Sequence, residues 1–397
     1  MDKDGPVTIG AQQLDAQLVQ QINRITTISA AMWMTVVGTL GILFLPLMVS
    51  GIIDELAFTK QQAGYVGAAE MAGVAIASGT GMYWVRRCDW TLIGAAATII
   101  MIIANFLSAA IGDFPSMFVT RFLVGVASGA LLAIGLACQS DGKNADRVFG
   151  YWVACQMVIQ SLGYLLLPSV RLTWGTTGFF LTLALLSVTC FISVLYMPRQ
   201  GLFKIEAKKL DEATVFSNAL ALLGALLFFM AQGGLWAFLE RLGLAAQLST
   251  TQIGFALAIS SYFGVLGGLA RNWLAHSAGL LSPFFFVVAG ELLMLLFFAS
   301  QPGNALFIVA VCLLQFCWAM GMASLLAGFN VLDKSGGLIL LMMSTAKGGY
   351  SLGPALMGWL IIEDDYTLVL ITSAALVTVG MLTAAMLIKT KSPAALA

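Results

Sequence analysis

Four charged side chains lie inside long apolar runs, where charge is expensive: Glu70, Arg121, Glu291 and Lys347. An ionised group at the centre of a bilayer costs at least about 2.5–3.5 kcal/mol on insertion scales, so each needs a partner, a proton or a solute. At about 1.5 Å of rise per residue, Glu70 and Arg121 sit about 10 Å below the same boundary of their runs, and Lys347 sits nearer the middle. Opposite charges at that depth attract strongly, and protonation changes the attraction. Two readings follow. Either Arg121 and Lys347 hold an anionic solute while Glu70 takes up a proton or pairs with one of them between steps, or Glu70 and Arg121 form a permanent pair that knits the fold together. For Glu291 a packing or snorkelling role is the simpler expectation.

Around these charges, Trp33, Gln156, Gln160, Tyr164, Gln232, Trp236, Gln315, Trp318 and Asn330 supply amide and aromatic groups within apolar runs. Amides and indoles offer hydrogen bonds beside flat apolar faces, the equipment of a small-molecule site, although aromatic residues near span ends also serve as interfacial anchors. Glu240 and Arg241 close an apolar run and read as a solvated rim; His276, the single histidine, falls in a turn. The six cysteines show no metal-ligand spacing and read as small apolar residues.

The elements that must position these groups are membrane helices. Of 397 residues 60% are hydrophobic and 10% charged, with a mean hydropathy of +0.94, against about 25% charged in ordinary soluble chains. Twelve runs are long enough to span, at 28–53, 63–84, 91–111, 115–138, 148–170, 175–197, 215–239, 251–272, 282–300, 304–328, 338–361 and 367–388. They do not alternate as barrel strands would, so the fold class is an all-α polytopic membrane protein. Assigning loops alternately to two sides places fourteen Lys and Arg with the termini and three, Lys60, Arg171 and Arg241, opposite. The positive side faces the cytoplasm, which puts both termini there, at the cell inner membrane.

The polar stretch 1–27 lacks the apolar core of a cleavable signal, and Leu14, Leu18, Ile22 and Ile25 give it a helical apolar face. The charged connection 198–214 divides the chain into bundles 28–197 and 215–388, with a tail 389–397. The bundles carry a repeat: Thr59-Lys-Gln-Gln-Ala-Gly-Tyr opens span two and Ser249-Thr-Thr-Gln-Ile-Gly-Phe opens span eight, 190 residues on. Span eight is the second helix of the second bundle, so the match is in register with a six-plus-six duplication.

Enzymatic readings fare poorly. There is no HExxH, no GxxxxGK[ST] for ATP and no paired nucleophile and histidine, and the charge balance of 19 to 19 gives no basic field for nucleic acid. No cofactor is implied.

Three local motifs carry a family resemblance. Gly81-Met-Tyr-Trp-Val85-Arg86-Arg87 follows span two, Arg121-x-x-x-Gly125-x-x-x-Gly129 lies in span four, and Gly349-x-x-x-Gly353-Pro354-x-x-x-Gly358 lies in span eleven. With twelve spans and a central linker, the whole chain resembles the major facilitator superfamily, except that Val85 stands where that family has an acidic residue. The resemblance implies two pseudo-symmetric six-helix bundles, a monomer, and alternating access by rocking of the halves. It implies that spans one, four, seven and ten line the path while two, five, eight and eleven flank it. Glu70, Arg121 and Lys347 are then expected to converge on one cavity, with Gln156, Gln160, Gln232, Trp236, Gln315 and Trp318 as further solute contacts and Glu291 outside it. Span five lacks the Gly-Pro signature of the antiporter branch. The expected function is proton-coupled symport of a small organic anion such as a carboxylate, with Glu70 and Arg121 coupling the proton; the alternative is proton-coupled efflux of hydrophobic or cationic compounds.

Overall fold

A computed structural model describes residues 17–202, 212–333 and 337–391. Leu14, most of the 198–214 connection and the end of the tail lie outside the described residues. In chain order the helices are α1 (Ile25–Val37), α2 (Leu40–Leu43), α3 (Leu45–Leu56), α4 (Lys60–Gly79), α5 (Gly81–Trp84), α6 (Trp90–Ser108), α7 (Phe114–Ser140) and α8 (Ala145–Val188). They continue as α9 (Cys190–Tyr196), α10 (Glu212–Ala245), α11 (Thr250–Ser260), α12 (Phe263–Ala278), α13 (Ser282–Ala299), α14 (Asn304–Leu332), α15 (Gly337–Leu360) and α16 (Thr367–Lys391).

These helices follow the twelve expected runs. Span one is α1 to α3, broken at Gly38–Thr39 and at Phe44, where Pro46 enters the first turn of α3. The run Arg147–Tyr196 is 50 residues long. At about 1.5 Å per residue it would be about 75 Å if straight, more than twice the hydrocarbon thickness. It reverses at Gly175, whose φ of 67° suits a residue without Cβ. The contacts on either side show the reversal: Arg171 reaches Leu47 O, Thr177 donates to Ala109 O, and farther on Trp33 donates to Thr189 Oγ1. Spans five and six are thus the two limbs of α8, the second finished by α9.

Spans two and eleven are rich in glycine and alanine because each packs closely against neighbours. A Cβ on Gly125 of α7 would lie 2.0 Å from Glu70 O of α4, so spans two and four approach backbone to backbone. On its other side α4 meets α15, where Ser351 Oγ donates to Ala68 O at 3.1 Å. The two matched segments of the repeat have the same local structure: Thr59 with Gln62 and Ser249 with Gln252 each form a reciprocal N-terminal capping box.

One end of the molecule carries Ile25, Tyr196 and Lys391, and is called here the terminal end; the other is the far end. At the far end three ion pairs join the first half to the second: Arg171 to Glu240 at 2.5 Å, Lys60 to Asp364 at 2.6 Å, and Arg241 to Asp54.

Candidate functional site: a central cavity

A cavity of about 520 Å³ lies between the halves, within the range of small-molecule sites. Spans one, five, seven, eight, ten and eleven wall it, through α2, the first limb of α8, α10, α11–α12, α14 and α15. Six residues singled out in the sequence meet there: Gln156 and Gln160 from span five, Gln232 and Trp236 from span seven, Gln315 and Trp318 from span ten. Apolar residues such as Met157, Val265 and Leu314 complete most of the wall. Two polar atoms on lining residues, Trp152 Nε1 and Gln156 Oε1, have no hydrogen-bond partner within the protein. A buried donor or acceptor left unpaired costs about 1–3 kcal/mol, so a partner for these atoms would be stabilising. None of the lining residues is charged.

Toward the far end the cavity is sealed by aromatic packing. Trp236 donates to Ile42 O at 2.8 Å across the halves and meets Tyr164 edge-on at 6.1 Å; Tyr164 in turn donates to Leu43 O at 2.5 Å and meets Phe44 at 5.5 Å. Beyond this layer lie the Arg171–Glu240 and Asp54–Arg241 pairs. Glu240 is 1% exposed. The expectation of a solvated rim is therefore corrected for Glu240, while the Arg241–Asp54 pair stays at the exposed edge; the partners of both residues arrive from the opposite half and make a closed latch. Below the seal the lining continues to Trp152 and Gly268, toward the terminal end.

The four membrane charges do not share one cavity: Glu70 and Arg121 pair with each other, and Lys347 and Glu291 lie apart from them. Glu70 and Arg121 form a double contact, Nε to Oε2 at 3.1 Å and Nη2 to Oε1 at 2.7 Å, both side chains fully buried. Arg121 also donates to Asn105 Oδ1 at 2.8 Å and lies 5.2 Å from the centre of the Phe180 ring. Spans two, three, four and six thus enclose the pair, and none of these residues lines the cavity. It abuts span one: a Cβ on Gly41, next to cavity-lining Ile42, would fall 1.9 Å from Glu70 Oε1. Lys347 donates to Ser78 Oγ at 2.7 Å at a second, smaller recess between spans two and eleven. The anticipated meeting of Glu70, Arg121 and Lys347 in one cavity fails because Glu70 uses both oxygens on Arg121, while Lys347 turns to the first half at Ser78.

Glu291 stays outside the cavity wall, as expected, but touches a residue that lines it. It is fully buried on α13, yet accepts a 2.7 Å hydrogen bond from Nε2 of the cavity-lining Gln232, and its Oε2 has no partner. Snorkelling is excluded by that burial.

Other candidates fall elsewhere. Trp33 lines a groove with Thr189 at the terminal end, Tyr164 supports the seal from behind, and Asn330 and His276 are exposed. With Val85 in place of an acid, Arg86 pairs with Asp141 and lies over the Trp90 ring, wholly within the first half. Cys138, Cys190, Cys312 and Cys317 are buried. Among the described residues no three His, Cys, Asp or Glu side chains gather as a metal site. Sequence reasoning missed Asp54, Arg171, Trp152 and Tyr350; Asp54 and Arg171 were legible only as charges at run ends.

The family model of the major facilitator superfamily matches residues 25–332. The chain belongs to the major facilitator superfamily. Superfamily transporters are also its structural neighbours. The nucleoside transporter NupG, as its D323A mutant, superposes with a TM-score of 0.75 at 13% identity, over 93% of this chain and 99% of that one. NupG itself gives 0.68 at 16%, over 93% and 98%. A bacterial homologue of the human lysosomal transporter Spinster, inward-facing and unoccupied, gives 0.62 at 10%, over 96% and 98%. Identities this low establish the shared fold alone. No curated protein matches the chain in sequence. Membership of this superfamily makes the chain a multi-pass membrane transporter for a small molecule, not an enzyme.

Proposed function

We propose that the protein is a proton-coupled alternating-access carrier for a small uncharged solute bearing both hydrogen-bond donors and acceptors and a flat or apolar face. The observation that carries this reading is the composition of the cavity wall: four glutamines and three tryptophans from both halves, and no charged residue. A buried anion would need a cation there to offset its desolvation, and Arg121 and Lys347 are both engaged outside that wall. The anion expectation therefore loses the geometry it rested on, and so does the cation alternative, since Glu70 is enclosed with Arg121. Glutamine amides paired with indole faces suit a flat heteroaromatic or amide-rich solute, and a nucleoside, the class transported by NupG, has that chemistry.

Access from the far end requires the three cross-half ion pairs to open together with the Trp236–Ile42 bond, whereas on the terminal side the cavity wall continues to Trp152 and Gly268. By the distribution of Lys and Arg the terminal end is cytoplasmic, so this is the inward-facing state of a cell-membrane protein, and the carrier acts as a monomer.

The test is uptake into proteoliposomes of purified protein, under an imposed pH gradient, of uridine, benzoate and tetraphenylphosphonium in parallel. Uptake of uridine that is lost in Gln156→Ala and Gln315→Ala supports the reading. Accumulation of benzoate or tetraphenylphosphonium without uridine contradicts it.

A further inference from the structure

Glu291 has the features of a functional group that the cavity alone does not explain. It is fully buried on α13, a helix with no residue in the cavity wall, and forms no ion pair among the described residues. Its one hydrogen bond is to a residue that does line the cavity. A structural carboxylate in this bundle is treated otherwise: Glu70 has guanidinium nitrogens on both oxygens. Glu291 Oε2, by contrast, faces no donor or acceptor of the protein. The titratable groups near Glu291 are Cys317 of α14 and Tyr350 of α15, both neutral side chains, and from α10 it meets the uncharged amide of Gln232. Helices α12 and α16 also pack on α13, but their ionisable residues, Arg271, His276, Lys389 and Lys391, fall in their terminal-side turns.

We propose that Glu291 is the proton-carrying group of the transporter, and that its hydrogen bond to Gln232 links the proton to the solute by setting which end of the Gln232 amide faces the cavity. This rests on the cavity being the solute site. As a carboxylate, Glu291 can only accept, so Gln232 must turn Nε2 toward it, which leaves the amide carbonyl for the cavity. When Glu291 gains a proton on the oxygen facing Gln232, it becomes a donor there. The amide then turns over, its carbonyl accepts from the acid, and its N–H bonds face the cavity instead. A solute that offers a donor to Gln232 favours the ionised acid; one that offers an acceptor favours the protonated acid. The linkage is reciprocal: whatever the proton does to solute affinity, the solute does to proton affinity by the same factor. Glu291 touches no solute in this scheme and is a positioning residue that acts through Gln232.

The experiment is infrared difference spectroscopy on the purified full-length protein in liposomes, taken between high and low pH with and without uridine, on wild type, Glu291→Gln, Glu291→Asp and Gln232→Ala. The expected result is a carboxylic acid C=O band that appears on acidification, is absent in Glu291→Gln, is restored at a shifted frequency in Glu291→Asp, and moves in Gln232→Ala, where its hydrogen-bond partner is gone. Uridine should change the band's intensity in wild type and not in Gln232→Ala. The KM for uridine should vary about tenfold across the titration in wild type, equivalent to about 1.4 kcal/mol of linkage, and stay flat in Glu291→Gln. Identical spectra in wild type and Glu291→Gln would overturn the proposal, as would a band indifferent to Gln232→Ala. Failure of the solute reading has a different signature: the acid band and its shift in Gln232→Ala persist, while uridine neither binds nor alters any spectrum, and the linkage falls while the proton site stands.

Discussion

Glu70 in the first half and Glu291 in the second are both carboxylates sealed inside a membrane bundle, and the fold treats them oppositely. Glu70 is held by two guanidinium bonds, with Asn105 and the Phe180 ring completing the shell of Arg121. That shell is complete except for Asn105 Nδ2, and it joins four helices of one half. Glu291 has a single amide donor and a bare oxygen, and its one partner faces the cavity. Pairing makes a buried charge structural, because removing either partner strands the other in low dielectric. Leaving it unpaired keeps both protonation states within reach. Depth in the membrane therefore does not mark a coupling residue; the partners do.

Breaking the first-half pair has the largest expected effect. Arg121→Ala should cost about 3–5 kcal/mol, because Glu70 is then buried without a cation, and the variant should be lost from the monodisperse fraction in size-exclusion chromatography. Glu70→Gln combined with Arg121→Gln should recover part of that loss, since no charge is left unpaired. If Arg121→Ala is as stable as wild type, Glu70 is not structurally committed and the contrast dissolves.

Next in size is the far-end latch. Glu240→Gln removes the charge facing Arg171 and should weaken the closed far end by about 1.5–3 kcal/mol, a shift of about tenfold or more toward conformers open at that end. Spin-label distances measured across the far end would report a longer population in the variant, without loss of folded protein.

Glu291→Gln should be mild in stability, under about 1 kcal/mol, because the amide oxygen still accepts from Gln232. Its thermal midpoint should sit close to that of wild type while its transport loses pH dependence, the reverse of the Arg121 pattern.

The smallest effect belongs to a surface cap. Asp89 opens α6 by accepting from the backbone N–H of Leu92 and Thr91, and those bonds hold its carboxyl below the usual 3.8. A lowered folded-state pKa means the contribution is full above the unfolded value and is lost as pH falls through the folded one. Asp89→Ala should therefore lower thermal stability slightly at neutral pH, with the gap to wild type closing only below about pH 4.

Much of this was legible in the sequence. Apolar runs located the spans, including the glycine- and alanine-rich second and eleventh, and the Thr59 and Ser249 segments, matched in sequence, form matching capping boxes. The four glutamines that line the cavity, with Trp236 and Trp318, stood out as polar groups at depth. The Glu70–Arg121 pair was one of two readings open in the sequence. Partnership across the halves was not legible: Arg171 and Glu240 are 69 positions apart and Asp54 and Arg241 are 187, and periodicity on one helix says nothing about what a distant helix presents. Helix number places Lys347 and Arg121 in a common cavity, but which face each side chain takes depends on contacts with Ser78 and Glu70. Helix number likewise leaves Glu291 outside, yet an outer helix reaches the cavity through one glutamine.

An uncharged cavity served by a proton is tested most directly by charge movement. Proteoliposomes holding the wild-type protein, adsorbed on a solid-supported membrane at mildly acidic pH, would be exposed in turn to uridine and to benzoate. A neutral solute carried with a proton moves net positive charge, so uridine should produce a transient positive current into the liposomes that disappears in Glu291→Gln. A current-free response to uridine with electroneutral uptake of benzoate would instead mean that the cavity takes an anion together with its proton, and the account would be wrong.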